Sequence, residues 1–318
     1  MKDSSRGIAL LIILWVTTIL TVMAFSLSVM TRAESYGTLA FKEEMEKKLL
    51  AEAGIERGIA EIVYRSVNRN QTVTLEGMEV WKPDGTAHTV DTGKGGYVVR
   101  IIDESGKISL NGLTDSSGII LKNLLINQGT ASEKADIIVD SILDWKDADD
   151  LHRLGGAESD YYLSLAKPYK AADRDFETLE ELILVRGITP EILYGSGDTN
   201  GIIPFLTIHG KTGQVNINTA PKEVLAALPG MDAARVESII ALRESSDIAA
   251  LRNFSGAANP LMAPYVTAES DTSSLFSVEA TGFTDDVKKG HSIMATIALD
   301  RSNRFHYVYY KSPTEFVP

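Results

Sequence analysis

The residues most able to do chemistry lie between Glu133 and Asp160, where nine acids stand against three bases. That excess of six is half the chain's net charge of −12. Asp144 closes an apolar helical stretch, and Asp147, Asp149 and Asp150 follow in a predicted loop. Gly155 and Gly156 then permit a sharp return that brings Glu158 back toward them. Hard oxygen donors clustered on a turn suit Ca²⁺, which takes about 6–8 oxygens, including carbonyls and water. Unpaired, these carboxylates repel one another, and a divalent cation would remove the repulsion and fix the loop. The spacing does not match the EF-hand pattern. A solvated acidic loop is the other reading, and spacing alone leaves both open.

Catalytic patterns are weaker. The five histidines (His88, His152, His209, His291, His306) are scattered, with no pair at metal-ligand spacing. No G-x-S-x-G, H-E-x-x-H or phosphate-loop motif occurs. Ser164 and Lys167 satisfy S-x-x-K without a companion motif, and the glycine-rich stretch 195–201 follows no predicted strand. The expectation is a protein that is not an enzyme. The chain has no cysteine, so disulfides and thiolate metal sites are excluded. An acidic balance with no basic patch argues against nucleic acid, whose phosphates demand Lys and Arg.

The elements that must position the acidic loop begin with a long rod. The chain of 318 residues has room for about two domains. Residues 8–30 (IALLIILWVTTILTVMAFSLSVM) contain no ionisable side chain. As a helix at about 1.5 Å per residue they span roughly 35 Å, enough for a bilayer core of about 30 Å. Lys2 and Arg6 precede the run, which predicts a cytoplasmic N-terminus by the positive-inside rule. From Thr31 to about Ser66 no proline occurs, and Leu49, Ile55, Ile59 and Ile62 recur at helical spacing opposite a charged face. One helix of roughly 55–60 residues is predicted, buried in its second half. A secretory signal would have a shorter apolar stretch and a small-residue cleavage site after it. A plain N-terminal anchor is an alternative. The short leader ending in Gly7 resembles a prepilin-type signal, which prepilin peptidase cuts between Gly7 and Ile8.

Beyond the rod the hydrophobic period shortens. Residues 72–81, 96–103, 274–282, 292–300 and 305–310 are predicted strands, separated by turn residues. An antiparallel sheet would thus be assembled from two distant stretches. Helices are predicted between them at 115–127, 131–144, 177–186, 190–195, 221–228, 232–243 and 247–252. Within this stretch GKISLN (106–111) is echoed by GQVNIN (213–218). Two helix–Gly–helix patterns, around Gly187 and Gly230, look like helix-hairpin-helix or SAM-like units. Such units often bind DNA, but Asp232 and the lack of basic neighbours favour simple packing units.

The rod, the sheet split by a large insertion, and the run DWKDADD (144–150) with GGAE (155–158), Tyr161-Tyr162 and PYKAA (168–172) together resemble one family. It is the minor pseudopilins of the K type from type II secretion. The resemblance implies an α+β fold: a long N-terminal pilin helix packed on a small antiparallel sheet, with a large helical domain inserted between strands. It implies a prepilin leader at 1–7, a transmembrane part at 8–30 and an amphipathic part at 31–66. The sheet domain would comprise 67–105 and 273–318, and the inserted helical domain 106–272. It further implies calcium held in the helical domain, carried here onto Asp147, Asp149, Asp150 and Glu158, with Asp144 a further ligand. Implied partners are the I- and J-type minor pseudopilins, prepilin peptidase and the bacterial inner membrane, with the C-terminal domain in the periplasm. Pilins usually carry a glutamate at the fifth mature residue; here that residue is Ile12, and no acid occurs before Glu34. Lack of that acid belongs to the K-type subunit, which the family places at the pilus tip, where it would initiate assembly. A minor pilin of a type IV pilus and a membrane-anchored calcium-binding module are the alternatives.

Overall fold

The computed structural model describes residues 4–68, 81–197, 199–244, 248–255, 259–268, 274–300 and 302–314. Its first element is one unbroken helix, α1 (Ser4–Val67). No proline interrupts this stretch, so nothing removes a backbone donor or kinks it. Gly7 and Ile8 lie in its first turns. Its apolar half is exposed from Leu10 onward, and α1 is long and apolar enough to cross a membrane. Three threonine hydroxyls of that half are satisfied by the helix itself. Thr17 and Thr18 donate to the Leu14 carbonyl at 2.9 and 2.7 Å, and Thr21 donates to Thr17 at 2.7 Å. Hydroxyls bonded in this way are not left as unpaired donors in an apolar surrounding.

The second half of α1 turns one face to a sheet. Ala51, Ile55, Ile59 and Ile62, three to four residues apart, are buried there. Five antiparallel strands form the sheet: β1 (Asp84–Asp91), β2 (Gly96–Asp103) and, far along the chain, three more. Between these two groups come β3 (Ile108–Ser109), α2 (Gly118–Asn127), α3 (Ser132–Lys146), α4 (Ser159–Leu163) and α5 (Pro190–Tyr194). Next are β4 (Gly195–Ser196), β5 (Thr199–Asn200), β6 (Leu206–Thr207) and β7 (Val215–Asn216). Then follow α6 (Lys222–Ala227), α7 (Ala233–Glu244), α8 (Ile248–Ser255) and β8 (Val266–Thr267). The sheet is completed by β9 (Leu275–Phe283), β10 (His291–Leu299) and β11 (Phe305–Lys311), giving the order β1-β2-β9-β10-β11.

Alternate residues Val278, Ala280, Ile293, Ala295 and Ile297 point from β9 and β10 into the core under α1. The helix lies so close that a Cβ on Gly282 would stand 2.1 Å from the Lys47 carbonyl oxygen. Any larger residue there would push α1 off the sheet. β2 and β9 pair side by side, Asp103 opposite Phe276, although the whole helical unit intervenes between them.

The helical unit has an apolar core of its own, separate from the one under α1 and built on Leu121, Leu124, Ile138, Ile142, Tyr162 and Leu225 among others. The sequence echo is structural. β3 pairs in parallel with β6, and β7 pairs in parallel with β8. Both hairpins turn on a glycine at positive φ, Gly187 at 87° and Gly230 at 76°. A buried polar joint ties this unit to the sheet. Glu104, 4% exposed, takes Lys107 Nζ at 2.7 Å. Asp103 Oδ2 accepts from the Thr219 hydroxyl at 3.2 Å, and Asn216 donates to the Ser105 hydroxyl at 3.2 Å.

The structure differs from the sequence reading at β1 and at 177–186, and it adds the short helix α4 and the two-residue strands β4, β5, β6 and β8. β1 is a strand that the periodicity does not predict: its sequence, DGTAHTVD, is mostly polar, and pairing with β2 rather than apolar alternation makes it extended. The helix expected at 177–186 is a 3₁₀ helix, Leu179–Leu184, flanked by extended Thr178 and Val185. The extended backbone on either side confines it to six residues, and 3₁₀ pieces commonly serve as connectors of this kind. The strand expected at 72–81 lies outside the described residues, apart from Trp81.

Candidate functional site

The acidic loop leaves the C-terminus of α3 and returns to the start of α4. α3 buries Ile138, Ile142 and Trp145 against the helical core, which anchors its last turn. Asp144 in that turn is fully buried. Its Oδ1 lies 2.7 Å from Arg153 Nη1, and the Arg153 backbone N–H donates to its Oδ2 at 3.2 Å. The same guanidinium reaches Asp147 Oδ2 at 2.6 Å and Asp115 Oδ1 at 2.8 Å. Asp149 folds the loop by accepting the Leu151 N–H at 2.9 Å. Asp140 accepts the Gly155 N–H at 2.9 Å. Gly156 is required where it stands, since a Cβ there would lie 1.8 Å from Asp144 Oδ2.

This return places Glu158 against the loop. Its carboxylate is 2% exposed, and neither oxygen has a hydrogen-bond partner. Asp147 Oδ1 is likewise buried and unpartnered. Asp147, Asp149 and Glu158 each offer one oxygen, and these lie within 4.8 Å of one another. Burial pushes the Glu158 carboxyl up to about 7, with the charges of Asp144 and Asp147 adding to the effect. The Arg153 hydrogen bond holds Asp115 below the usual carboxylate range, against the opposing effect of its slight burial.

Of the five residues named from sequence as metal ligands, the structure brings three together: Asp147, Asp149 and Glu158. Asp144 sits beside them with its carboxylate taken by Arg153. Asp150 is exposed and stands outside the group. The sequence reading misses the contributions of Arg153, Asp115 and Asp140. Asp115 is 38 residues from Arg153 along the chain, so spacing carries no signal for it. His152 is exposed and pairs with Asp160 at 3.0 Å.

The donor set fits a hard divalent cation. It consists of carboxylate oxygens only, and its most buried member makes no bond within the protein. A buried carboxylate left without a partner is unfavourable, and a cation is the group that would satisfy it.

The comparisons agree with this architecture. Family profiles described as Type II secretion system (T2SS), protein K match residues 106–195 and 215–279. The Type II secretion system protein K of Pseudomonas aeruginosa is 28% identical over 259 residues, 76% of this chain and 74% of that protein. The protein of the same description from Pectobacterium carotovorum is 26% identical over 204 residues, covering 60% of this chain and 61% of its own length. Among solved structures, the GspK-GspI-GspJ complex from the enterotoxigenic Escherichia coli type 2 secretion system contains a chain of the same fold. The TM-score is 0.59 at 16% identity, over 87% of this chain and 99% of that one. A half-apolar rod seated on a small antiparallel sheet, with a helical unit between two of its strands, defines a minor pseudopilin of type II secretion. The chain belongs to the type II secretion system protein K family.

Proposed function

We propose that the chain is a structural, non-catalytic subunit that caps the tip of the type II secretion pseudopilus and starts its assembly. Its partners would be the I- and J-type minor pseudopilins, in keeping with the complex in which its structural neighbour was solved. The observation that carries the reading is the helical unit with its own core, set between the adjacent strands β2 and β9 of a small sheet. Bulk at that place would deny a further subunit its seat. A tip subunit has no neighbour ahead of it whose amine needs a carboxylate, and this chain has no acid between residues 8 and 33. Residues 8–30 would anchor it in the inner membrane, with everything beyond about residue 31 in the periplasm. Prepilin peptidase would cut between Gly7 and Ile8. In the loop after α3, Asp147, Asp149 and Glu158 would hold Ca²⁺, which would supply the positive charge that the buried carboxylates lack.

Two experiments test this. Replacing Gly7 by a bulky residue should leave the leader attached when prepilin peptidase is present, read by N-terminal sequencing or mass. Normal processing would show that the signal assignment is wrong. Co-expressed with the I- and J-type subunits, the chain should co-purify with both, and isolation as a lone monomer would overturn the assembly role.

A further inference from the structure

We infer that Arg153 is the positioning residue of the cation site: it holds the ligand group assembled before any metal arrives. The inference rests on the cation reading above. Arg153 sits at the centre of the acidic loop, and its guanidinium divides the cluster in two. On one side it takes Asp144 Oδ1 at 2.7 Å, Asp147 Oδ2 at 2.6 Å and Asp115 Oδ1 at 2.8 Å. On the other side remain the oxygens it does not touch: Asp147 Oδ1, and Glu158 Oε1 and Oε2, all buried and unpartnered. Asp147 is the hinge of this division. One of its oxygens is pinned by Arg153, which fixes a carboxylate whose ligand atom lies within 4.8 Å of those of Asp149 and Glu158.

The backbone of Arg153 acts in the same direction. Its N–H donates to the buried Asp144, so the loop is stapled to the last turn of α3 at the point where it must turn back. Gly155 and Gly156 follow after Leu154. The first is held by Asp140, and the second passes so close to Asp144 that only glycine fits. Together these contacts deliver Glu158 to the site. A planar guanidinium suits this task because its fork of donors can serve several carboxylates at once, whereas a lysine ammonium offers one compact charge.

Charge and position predict opposite signs. Were Arg153 only a nearby positive charge, it would repel the metal, and its removal would tighten binding. As a positioning residue it fixes the ligands, and its removal loosens them. Groups that orient metal ligands typically contribute about 10–100-fold to affinity.

The test is calorimetric titration of the full chain in detergent micelles with Ca²⁺ alone, alongside thermal unfolding in chelator. Arg153→Gln should bind at least about tenfold more weakly than wild type, and should unfold earlier in chelator because Asp144 loses its counter-charge. Arg153→Lys keeps the charge but loses the fork, and should also bind more weakly than wild type. It decides the matter if Arg153→Gln does not fold. Affinity equal to or tighter than wild type in whichever variant is folded overturns the positioning role while leaving the cation reading intact. A wild-type chain that takes up no Ca²⁺ overturns the cation reading itself, and the positioning role with it.

Discussion

At the scale of single residues, the most consequential group is Glu158, a carboxylate with almost no solvent and no hydrogen bond. Burial and the neighbouring Asp144 and Asp147 charges make it hold its proton to about pH 7, whereas the unfolded chain releases it near 4.5. Between those values the folded state binds more protons than the unfolded state, so this group's contribution to stability falls as pH rises through that window. Thermal unfolding in chelator from pH 4.5 to 7.5 should show wild type losing stability relative to Glu158→Gln across the same range. With saturating Ca²⁺ the relative loss should disappear. Parallel curves for the two proteins in chelator would show that the carboxyl is not held in this state. Part of the site was legible from sequence because Asp147, Asp149 and the Gly155-Gly156 return are local. Asp115 was not, because its approach depends on how α2 and α3 pack. The engagement of Asp144 by Arg153, in preference to the ligand group, is equally a property of the folded loop.

At the scale of elements, the joint between sheet and helical unit is polar where a protein interior is usually apolar. Burial alone would raise the pKa of Glu104, but the charge and hydrogen bond of Lys107, with the Thr207 and Ser277 hydroxyls, outweigh it and bring the pKa below its ordinary value. Lys107→Ala would leave a buried carboxylate uncompensated, a change expected to destabilise by about 3 kcal/mol at neutral pH. The loss should shrink as pH falls and the orphaned carboxyl takes up a proton. Denaturant titrations at pH 7.5 and pH 5 check both statements, and an equal loss at the two pH values would place the damage elsewhere. Elements with strong local patterns were visible in the sequence: α1 from its uninterrupted spacing, and β9 and β10 from their apolar alternation. The polar β1 was not, because its conformation is imposed by pairing with β2. The joint was invisible for a similar reason: Asp103 and Thr219 are 116 residues apart.

At the scale of the whole molecule, the helical unit enters and leaves the sheet at neighbouring positions, Asp103 opposite Phe276. A short turn could therefore replace residues 104–274 and leave β2 and β9 paired. Such a chain should keep α1 seated on the sheet and still reach the membrane. It should fail to cap, so that pseudopili seen by electron microscopy grow longer than with the intact chain. Pseudopili of unchanged length would show that the helical unit does not limit growth.

The seating of α1 has a mechanical corollary. The helix bears on β2, β9 and β10 through Ala51, Ile55, Ile59 and Ile62, and Gly282 lets the two surfaces nearly touch. A pull along the rod is therefore taken up as shear across strands that are laced to one another on both sides. The helical unit hangs from that framework as a side load, held by the polar joint around Asp103 and Asn216. Force that drags the subunit out of a bilayer would run past the acidic loop without stretching it, so a bound ion would ride through extraction undisturbed.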